Sequence, residues 1–560
     1  MVAYLSQHPA SNLKSEISND LLVGLRQDFL FRRIKSATNR LETHRAVIEL
    51  LDPAQKNAAP LLGLLAQWVD IEFIPAITLR ELLSRFRKDL RATLPVYDYV
   101  HLRVAEALCA RAEGLSEKAI RGLEIALTLE EEIDCKDLVI LSNYWIGRCY
   151  RRLGRYDDAL RHAVKVKELA LELGYNEMAA FVGVLESWAI LKRGKPKQAA
   201  SILGEAEAVL LKTDDCLALG NIQSAYGRIA RFEGRYDAAL VYFEKAIEEF
   251  KRMSPQHRHV ARSLVNMSFV KRLIAIRLQN KVDNEIGRRG RVKAARATIH
   301  KLGLRQYIDH LREEAKDHLA KAEEIYERAK DNVGKAMVHI NRGHLYLDSG
   351  ELDCAGPEGA KGHQLGQENE DFIVLARARI LQSLVENAMF EEQIEEVFDV
   401  NQHARLAHQM AREAIECAER SENRYLLGRA FITEGMVLSN EFFNDTDGAR
   451  RSADRAIALL KPEGHDYLWE NLQALESRVY QTRGVNSLLS EWSRGVVCDK
   501  TFQEITEEFA GIIIPRIWEL EGRKISRVAA RLSISPKKVR RILSSKGLLT
   551  RASRSLRSDS

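Results

Sequence analysis

Two stretches of the chain, YWIGRCYRRLGRYDDALRHAVKV at residues 144–166 and SAYGRIARFEGRYDAALVYFEKA at residues 224–246, align without a gap. Each has a Gly-Arg-Tyr turn between two segments of helical pattern. The turn glycines recur every forty residues, at Gly114, Gly154, Gly194 and Gly234. Glycine in such a place ends a helix because it adopts a left-handed conformation that a side chain disfavours. The sequence therefore predicts a repeated pair of antiparallel helices.

The second segment of each repeat carries small or apolar residues at positions i, i+4 and i+7, which share one face of a helix. They are Ala119/Leu123/Ala126, Ala159/Ala163/Val166, Ala199/Leu203/Ala206, Ala239/Phe243/Ala246, Ala322/Tyr326/Ala329, Ala411/Ile415/Ala418 and Ala449/Ala453/Ala456. Small residues let helices approach closely, and the larger partners fill the neighbouring holes. We interpret this face as core that specifies the fold, not as a ligand site.

With these residues the chain resembles the tetratricopeptide repeat family. The matching residues are Ile146, Gly147, Tyr150, Gly154, Tyr156 and Ala159, and later Gly343, Tyr346, Gly350 and Ala355. The chain departs from the family pattern at the first-helix Trp, which is Asn143 here, and its period is forty residues instead of about 34. The resemblance implies an all-α, right-handed superhelix of αα-hairpins with a concave groove for a peptide or protein. We expect aromatic and polar residues of the first helices to line that groove: Asn143, Tyr150, Gln223 and Tyr226. Tyr150 is equally compatible with core packing at its hairpin.

The repeat pattern divides the chain into regions. Residues 1–99 are predicted to be a helical cap or a dimerisation region, since terminal units of a solenoid are usually atypical. Residues 100–485 form the repeats, with a basic insertion near residues 281–301 that is either a solvated loop or helix end or a second nucleic-acid contact. Residues 486–500 are a predicted linker, residues 501–549 a C-terminal module, and residues 550–560 a basic Ser/Arg tail.

The C-terminal module has a different pattern. TFQEITEEFAGIIIPRIWELEG, from Thr501, reads as one amphipathic helix with Pro515 as a kink or break. In RKISRVAARLSISPKKVRRILSSKGLL, at residues 523–549, a short helix and a turn plugged by Ile534 precede a second helix. That second helix is predicted to start with Ser535 as N-cap and Pro536 at its first position, and to end at Gly547. Val528, Ala529 and Leu532, and then Val539, Ile542 and Leu543, are predicted to face inward.

This layout resembles the helix-turn-helix of the Fis family and of bacterial enhancer-binding regulators. The matching residues are Ala529, Ala530, Leu532, Ile534, Val539, Leu543, Gly547 and Leu548; the turn position that is commonly Gly is Ser533 here. The resemblance implies that the second helix enters the major groove of DNA. Ser535, Lys537, Lys538 and Arg541 are then the candidate base contacts. The candidate phosphate contacts are Arg523, Lys524, Arg527, Arg540 and Lys546.

Charge is concentrated in the same region. The net charge of the chain is +6, but residues 516–560 alone carry thirteen Lys or Arg against three acidic residues, or +10. The 515 residues before them therefore carry −4. A mildly acidic body with a strongly basic end indicates a polyanion partner, which we expect to be double-stranded DNA. The alternatives are a solvated basic surface or a module that docks a protein.

The sequence lacks the motifs of several other classes. It has no Gly-x4-Gly-Lys-Ser/Thr loop, His-Glu-x-x-His or Gly-x-Ser-x-Gly motif, so we expect neither an enzyme nor a cofactor or metal. The seven cysteines are scattered and form no Cys-x-x-Cys pair. We find no secretory signal and no apolar run long enough for a membrane span, and therefore expect a cytoplasmic protein.

The expected function is that of a bacterial DNA-binding transcription regulator. Its repeats would bind a peptide or protein, and a homodimer would place its C-terminal module on DNA. The alternative is a non-enzymatic scaffold subunit whose C-terminal module docks protein or non-specific nucleic acid. A third hypothesis is an enzyme with an unrecognised site.

Overall fold

The computed structural model describes residues 17–72, 75–129, 133–288, 294–392, 400–421, 423–460, 467–481 and 501–549. All regular secondary structure in these residues is helical, as predicted. No helix in the described part of the chain is both long enough and apolar enough to cross a membrane. The predicted linker at residues 486–500 and the tail at residues 550–560 lie outside the described residues. The chain divides into two compact units, residues 1–475 and residues 476–560.

The described part of the first unit begins with six short helices that do not follow the repeat pattern. They are α1 (Asn19–Leu30), α2 (Ile34–Thr43), α3 (Arg45–Glu49), α4 (Ala58–Gln67), α5 (Ala76–Ser84) and α6 (Lys88–Thr93), with a 3-10 turn at Val69–Ile71. Helix α4 is buried along its whole length because it carries apolar or small residues on every face.

Helical hairpins follow, each made of a first and a second helix. The early pairs are α7 (Val96–Ala112) with α8 (Ser116–Thr128), α9 (Lys136–Leu153) with α10 (Tyr156–Glu172), α11 (Asn176–Lys192) with α12 (Pro196–Leu210), and α13 (Cys216–Phe232) with α14 (Tyr236–Lys251). The later pairs are α15 (Arg258–Arg288) with α16 (Ala294–Arg328), α17 (Asn332–Asp348) with α18 (Leu352–Glu368), α19 (Phe372–Glu392) with α20 (Val400–Arg420), and α21 (Arg424–Leu438) with α22 (Thr446–Leu460). Helix α23 (Tyr467–Gln481) follows.

The predicted turn glycines end the first helices of the early hairpins. Their φ angles are positive: +94° at Gly114, +81° at Gly154, +81° at Gly194 and +73° at Gly234. Most of the predicted small or apolar residues of the second helices are core residues, and Ala159, Ala199 and Ala239 are fully buried. The prediction is wrong for Ala329, which lies just beyond the end of α16 and is exposed, and Ile415 is only half-buried. The hairpin prediction is therefore confirmed where the period of forty is strictest.

The fifth hairpin is longer than the others. Helices α15 and α16 have 31 and 35 residues, and the basic insertion predicted near residues 281–301 falls where α15 ends and α16 begins. Residues 289–293 lie outside the described residues. The reading of this segment as a nucleic-acid contact stays a prediction.

Early and late hairpins of this unit meet through their turns. The Asn423 side chain donates from Nδ2 to the Tyr156 hydroxyl at 3.2 Å. The rings of Phe232 and Tyr425 are 6.3 Å apart. A side chain at Gly154 would overlap the carbonyl oxygen of Ser421. The array therefore returns on itself, and its first helices face an enclosed inner space.

This contact leads to a prediction with a matched control. Gly154 and Gly194 share a φ of +81°, but nothing lies near the position of a Cβ at Gly194. We expect Gly194→Ala to lower the free energy of unfolding by about 1 kcal/mol, from backbone strain alone. Gly154→Ala should lower it by about 1–3 kcal/mol more, because the added methyl group must displace the backbone at Ser421. Urea denaturation of both variants measures the difference, and equal losses would contradict the turn-to-turn contact.

The N-terminal helices pack against the first helices of the early hairpins. Phe29 contacts Trp68 with ring centroids 5.2 Å apart and Trp145 at 6.4 Å. The Trp145 indole donates to Gln67, and Arg32 pairs with Asp215 at 2.7 Å. The described residues of the region predicted as a cap or a dimerisation region, 17–72 and 75–99, thus bury much of their apolar surface within the same chain.

The second unit contains the C-terminal module, three helices around a small core. They are α24 (Phe502–Leu520), α25 (Ile525–Leu532) and α26 (Pro536–Ser545). Thr501 and Glu504 form a capping box at the start of α24. Of the kink or break predicted at Pro515, the break does not occur: α24 continues through Pro515, and Ile514 and Trp518 on either side of it are buried in the same core.

Candidate functional sites

The turn between α25 and α26 fixes the direction of the last helix. Ser533 has a φ of +52° in the left-handed region, which accounts for the glycine preferred at this position in the family that the module resembles. The Ile534 amide then donates to the Ala529 carbonyl at 3.1 Å, and its side chain packs on the module core. The Ser535 hydroxyl accepts from the Lys538 amide at 3.2 Å and caps α26.

The inward residues of the module are those that the sequence predicted. Val528, Val539 and Leu543 are fully buried, and Ala529 and Ile542 nearly so. Leu532 and Ile534 are partly buried against them. One face of α26 therefore packs on the core, and the opposite face is exposed to solvent.

The predicted DNA contacts lie on that solvent side of the module. Ser535, Lys537 and Arg541 are exposed on α26, and Lys538 is half-buried. The predicted phosphate contacts are all exposed: Arg523, Lys524, Arg527, Arg540 and Lys546. Arg523 lies over the Trp518 ring, with its guanidinium carbon 5.4 Å from the ring centroid. The module thus presents a cationic surface around the N-terminal half of α26.

One carboxylate of the module pairs with this cationic surface, and a second pairs with a neighbouring arginine. Glu507 of α24 accepts a hydrogen bond from Arg541 at 2.6 Å, and both side chains are more than half exposed. Glu521 pairs with Arg531, also at 2.6 Å. This pair occupies one nitrogen of the Arg541 guanidinium, a contact that the spacing within α26 did not predict.

The predicted partner groove needs correction. Asn143 is buried, with 2% of its surface exposed. Its side chain donates to the Val139 carbonyl at 2.8 Å, and its oxygen contacts Nδ1 of His162 at 2.9 Å. It joins the two helices of one hairpin and cannot line a groove. Asn143 occupies the position that is Trp in the tetratricopeptide pattern. Its amide suits this position because its nitrogen donates one hydrogen bond and its oxygen accepts another.

The three other predicted groove residues contact second helices. The Tyr150 ring stacks on His162 with centroids 5.5 Å apart. Gln223 and Tyr226 both donate to Glu207, at 2.8 and 3.1 Å. These side chains remain half-buried between helices, so their role in partner binding stays a prediction.

The inner side of the first helices carries residues that the sequence analysis missed. A groove there is lined by Tyr144, Arg148 and Arg151 of α9, Trp188 of α11, Arg228 of α13 and Arg262 of α15. The sequence held a signal for them. Arg148 and Arg151 occupy the same places in the first aligned stretch as Arg228 and Arg231 in the second. A spacing of three residues puts each pair on one helix face.

Aromatic rings accompany these cations. The guanidinium carbons of Arg151 and Arg228 lie 5.3 and 5.2 Å from the centroid of the Trp188 ring. The Arg231 guanidinium carbon lies 5.1 Å from that of Phe269. Within the described residues none of these three arginines forms an ion pair with a carboxylate, and Nε of both Arg151 and Arg231 is buried without a hydrogen-bond partner.

Each of these arginines also makes the charged form of its neighbours less favourable. Burial, followed by the neighbouring Arg148 and Arg262, lowers the pKa of Arg151 to about 9. Burial, followed by Arg262 and Arg151, lowers the pKa of Arg228 well below its usual range. A guanidinium stays protonated in proteins at neutral pH. The lowered pKa values therefore express an unfavourable free energy of the charged side chains.

Later hairpins extend the same cationic lining. Arg377 of α19 donates to the sulfur of Met337 at 3.4 Å, and Arg429 of α21 contacts Nε2 of His344 at 2.8 Å. Burial, followed by Arg429, lowers the pKa of Arg377. Arg272 differs, because Asp348 pairs with it at 2.5 Å.

A cavity of about 400 Å³ opens beside Arg228 and Arg231. The turns of the second and third hairpins form one wall, and helices α21–α23 form the other, with Tyr156, Lys192, Tyr425 and Trp469 among the lining residues. In the described part of the chain, no cluster of three or more His, Cys, Asp or Glu could hold a metal ion.

Comparison with known proteins supports the assignment of the repeats and gives no match for the C-terminal module. Residues 221–250, which span most of the fourth hairpin, match the tetratricopeptide repeat family model. No curated protein matches the chain.

Similar solved structures include a Rap protein complexed with competence and sporulation factor, at 12% identity and a TM-score of 0.42, covering 70% of this chain and 99% of that one. The human IFIT1 dimer with m7Gppp-AAAA is similar at 13% identity and a TM-score of 0.43, covering 80% and 96%. The apo form of RapI follows at 13% identity and a TM-score of 0.36, covering 72% and 96%. The matching segment and the hairpins described above show that this chain contains TPR-like helical repeats.

Proposed function

We propose that this chain is a DNA-binding regulatory protein. Its C-terminal module contacts double-stranded DNA as a helix-turn-helix, and its repeats bind a peptide or protein. One observation carries the DNA part of this proposal. Helix α26 is capped at Ser535, buries one face in the module core, and exposes cationic side chains on the other.

The geometry suits the major groove of DNA for physical reasons. A groove about 12 Å wide admits one helix, and the N-terminal residues of that helix reach the base edges. Lys537, Lys538 and Arg541 lie in the first two turns of α26. Arg523, Lys524 and Arg527 precede or begin the neighbouring helix α25, where phosphate contact requires only exposure and charge.

A single helix of this length reads only a few base pairs, which is too few for selective binding. We therefore propose a homodimer on a two-fold site, with half-sites about one helical turn of DNA apart. Footprinting at single-nucleotide resolution tests this arrangement, because a single uninterrupted protected half-site would contradict it.

The test of DNA binding is a gel shift of the full chain against the chain truncated after Val497, over a series of salt concentrations. We expect the full chain to bind DNA with a steep loss of affinity as salt rises, because bound phosphates release counterions. The truncated chain should lose this binding. Equal retention of DNA by both would support the alternative, a scaffold whose C-terminal module docks protein.

The pair between Glu507 and Arg541 gives a second prediction. Arg541→Gln should weaken specific DNA binding by about 1–3 kcal/mol if the guanidinium contacts a guanine. Glu507→Gln should not weaken it and should strengthen it modestly, because a competing carboxylate and its repulsion of phosphate are removed. Glu521→Gln is the matched control, since Glu521 pairs with Arg531 and not with a predicted base contact. Equal effects of the two glutamate variants would contradict a base-reading role for Arg541.

A further inference from the structure

The inner surface of the repeats carries more positive charge than its own carboxylates balance. We infer that the side chains of Arg151, Arg228, Arg231, Arg377 and Arg429 form a site for an acidic peptide segment, bound through its carboxylates. This inference deepens the peptide-binding part of the proposed function and rests on it. We call these five residues the arginine lining.

The first step concerns charge. In the described residues, no carboxylate pairs with any member of the arginine lining, whereas Arg32 and Arg272 elsewhere in the same unit each have an aspartate partner. A charge withdrawn from water without a partner is costly to the folded state. Several such charges beside one another are costlier still, because they also repel. Folding alone does not call for this arrangement, whereas a bound anion compensates it.

The second step concerns access. All five arginines are half-buried rather than sealed from solvent, and Arg228 and Arg231 also border the cavity of about 400 Å³. A cavity of that size is within the range of pockets that hold small ligands, about 300–1,000 Å³. A ligand can therefore reach Arg228 and Arg231 from the cavity and Arg151 from the groove. Because the rings beside them already orient these guanidinium groups, little side-chain entropy is lost on binding.

The third step distinguishes a peptide from a nucleic-acid strand. Sites for single strands supply open aromatic faces on which bases stack. Here the two rings that the arginine lining itself contacts, Trp188 and Phe269, are covered by the chain's own cations. Arg151, Arg228 and Lys192 all lie within 5.3 Å of the Trp188 centroid, and Arg231 lies over Phe269. Guanidinium groups held against rings still present their nitrogen atoms edge-on, the geometry that a carboxylate accepts.

The experiment uses the full chain and three fluorescein-labelled probes: octaglutamate, octaglutamine and an eight-residue oligothymidylate. Fluorescence anisotropy measures binding to the wild type, to the double variant Arg151→Gln/Arg228→Gln, and to a control, Arg121→Gln/Arg451→Gln. The control removes the same charge from exposed positions on second helices. Gel shifts of all three proteins with DNA are run in parallel, because the C-terminal module is unaltered.

We expect octaglutamate to bind the wild type and the control alike, and octaglutamine to bind neither. The Arg151/Arg228 variant should lose about 100-fold in octaglutamate affinity, since each lost charge-assisted hydrogen bond contributes about tenfold. DNA binding should be unchanged in all three proteins. If the wild type did not bind DNA, the proposed DNA-binding function would be contradicted, and this inference about the repeats would still stand.

Equal octaglutamate binding by the two double variants, or none by the wild type, overturns the inference. Binding of oligothymidylate in place of octaglutamate overturns it in favour of a nucleic-acid strand. Thermal unfolding measures whether the variants fold. If Arg151→Gln/Arg228→Gln does not fold, Arg231→Gln/Arg377→Gln serves as the second test. Removing unpaired charges should leave the unfolding temperature equal to or above that of the wild type.

Discussion

Replacing Arg32 with Ala is expected to lower the free energy of unfolding of the repeat unit by about 3–5 kcal/mol. The Arg32 guanidinium donates to Asp215 at 2.7 Å, and the two side chains are 4% and 0% exposed. It also lies 3.7 Å from the Phe181 ring centroid. Removing Arg32 leaves Asp215 as a buried carboxylate whose charge has lost its cation, which costs far more than losing a surface pair.

Asp215 has a second role that makes the pair asymmetric. Its other oxygen accepts from the Ala218 amide at 2.8 Å and caps α13. We therefore expect Asp215→Ala to cost at least as much as Arg32→Ala, since both the pair and a cap worth about 1 kcal/mol are lost. The double variant should cost less than the sum of the two, because neither charge is then left alone.

Urea denaturation of the two single variants and the double variant measures this coupling. The control is Arg45→Ala, which breaks an exposed pair with Glu42 at 2.7 Å and should cost no more than about 1 kcal/mol. A loss at Arg32 as small as that at Arg45 would mean that the N-terminal helices do not depend on this contact with the fourth hairpin.

The repeats could be predicted from sequence because their causes are local. Gly154 ends a helix through its own backbone conformation, and Ala159 lies at a spacing that one helix fixes. The pairing of Arg32 with Asp215 joins residues 183 positions apart, and no local sequence pattern around either residue indicates the other as its partner. The packing of helices α1–α6 on the first helices of the hairpins could therefore not be predicted from periodicity.

The candidate sites show the same division. The caps and inward residues of the C-terminal module follow from short-range pattern, whereas the contact of Glu507 with Arg541 depends on how α24 crosses α26. Asn143 was assigned to a surface because polarity in a first helix is usually exposed, yet His162 and the Val139 carbonyl satisfy it inside the hairpin. The arginine lining was missed because charge in a repeat ordinarily indicates solvent, and only the closure of the array encloses it.

Replacing Lys537, Lys538 and Arg541 together with Ala is expected to abolish selective DNA binding by the full chain. If the three contacts are additive and each base contact contributes about 1–3 kcal/mol, affinity for the preferred site falls by at least about 100-fold. The slope of log affinity against log salt should also fall for each of the three that neutralises a phosphate, by about 0.9. Stability should change little, because these side chains lie outside the module core.

The control for this triple variant is Arg523, Lys524 and Arg527 replaced with Ala, which removes the same charge from predicted phosphate contacts. We expect that variant to weaken all DNA sequences about equally and to keep the order of preference among them. Competition gel shifts with a selected site and a scrambled one separate the two outcomes. If both triple variants reduced selected and scrambled binding in the same proportion, α26 would not be the helix that reads sequence, and the module would act only as a cationic tether.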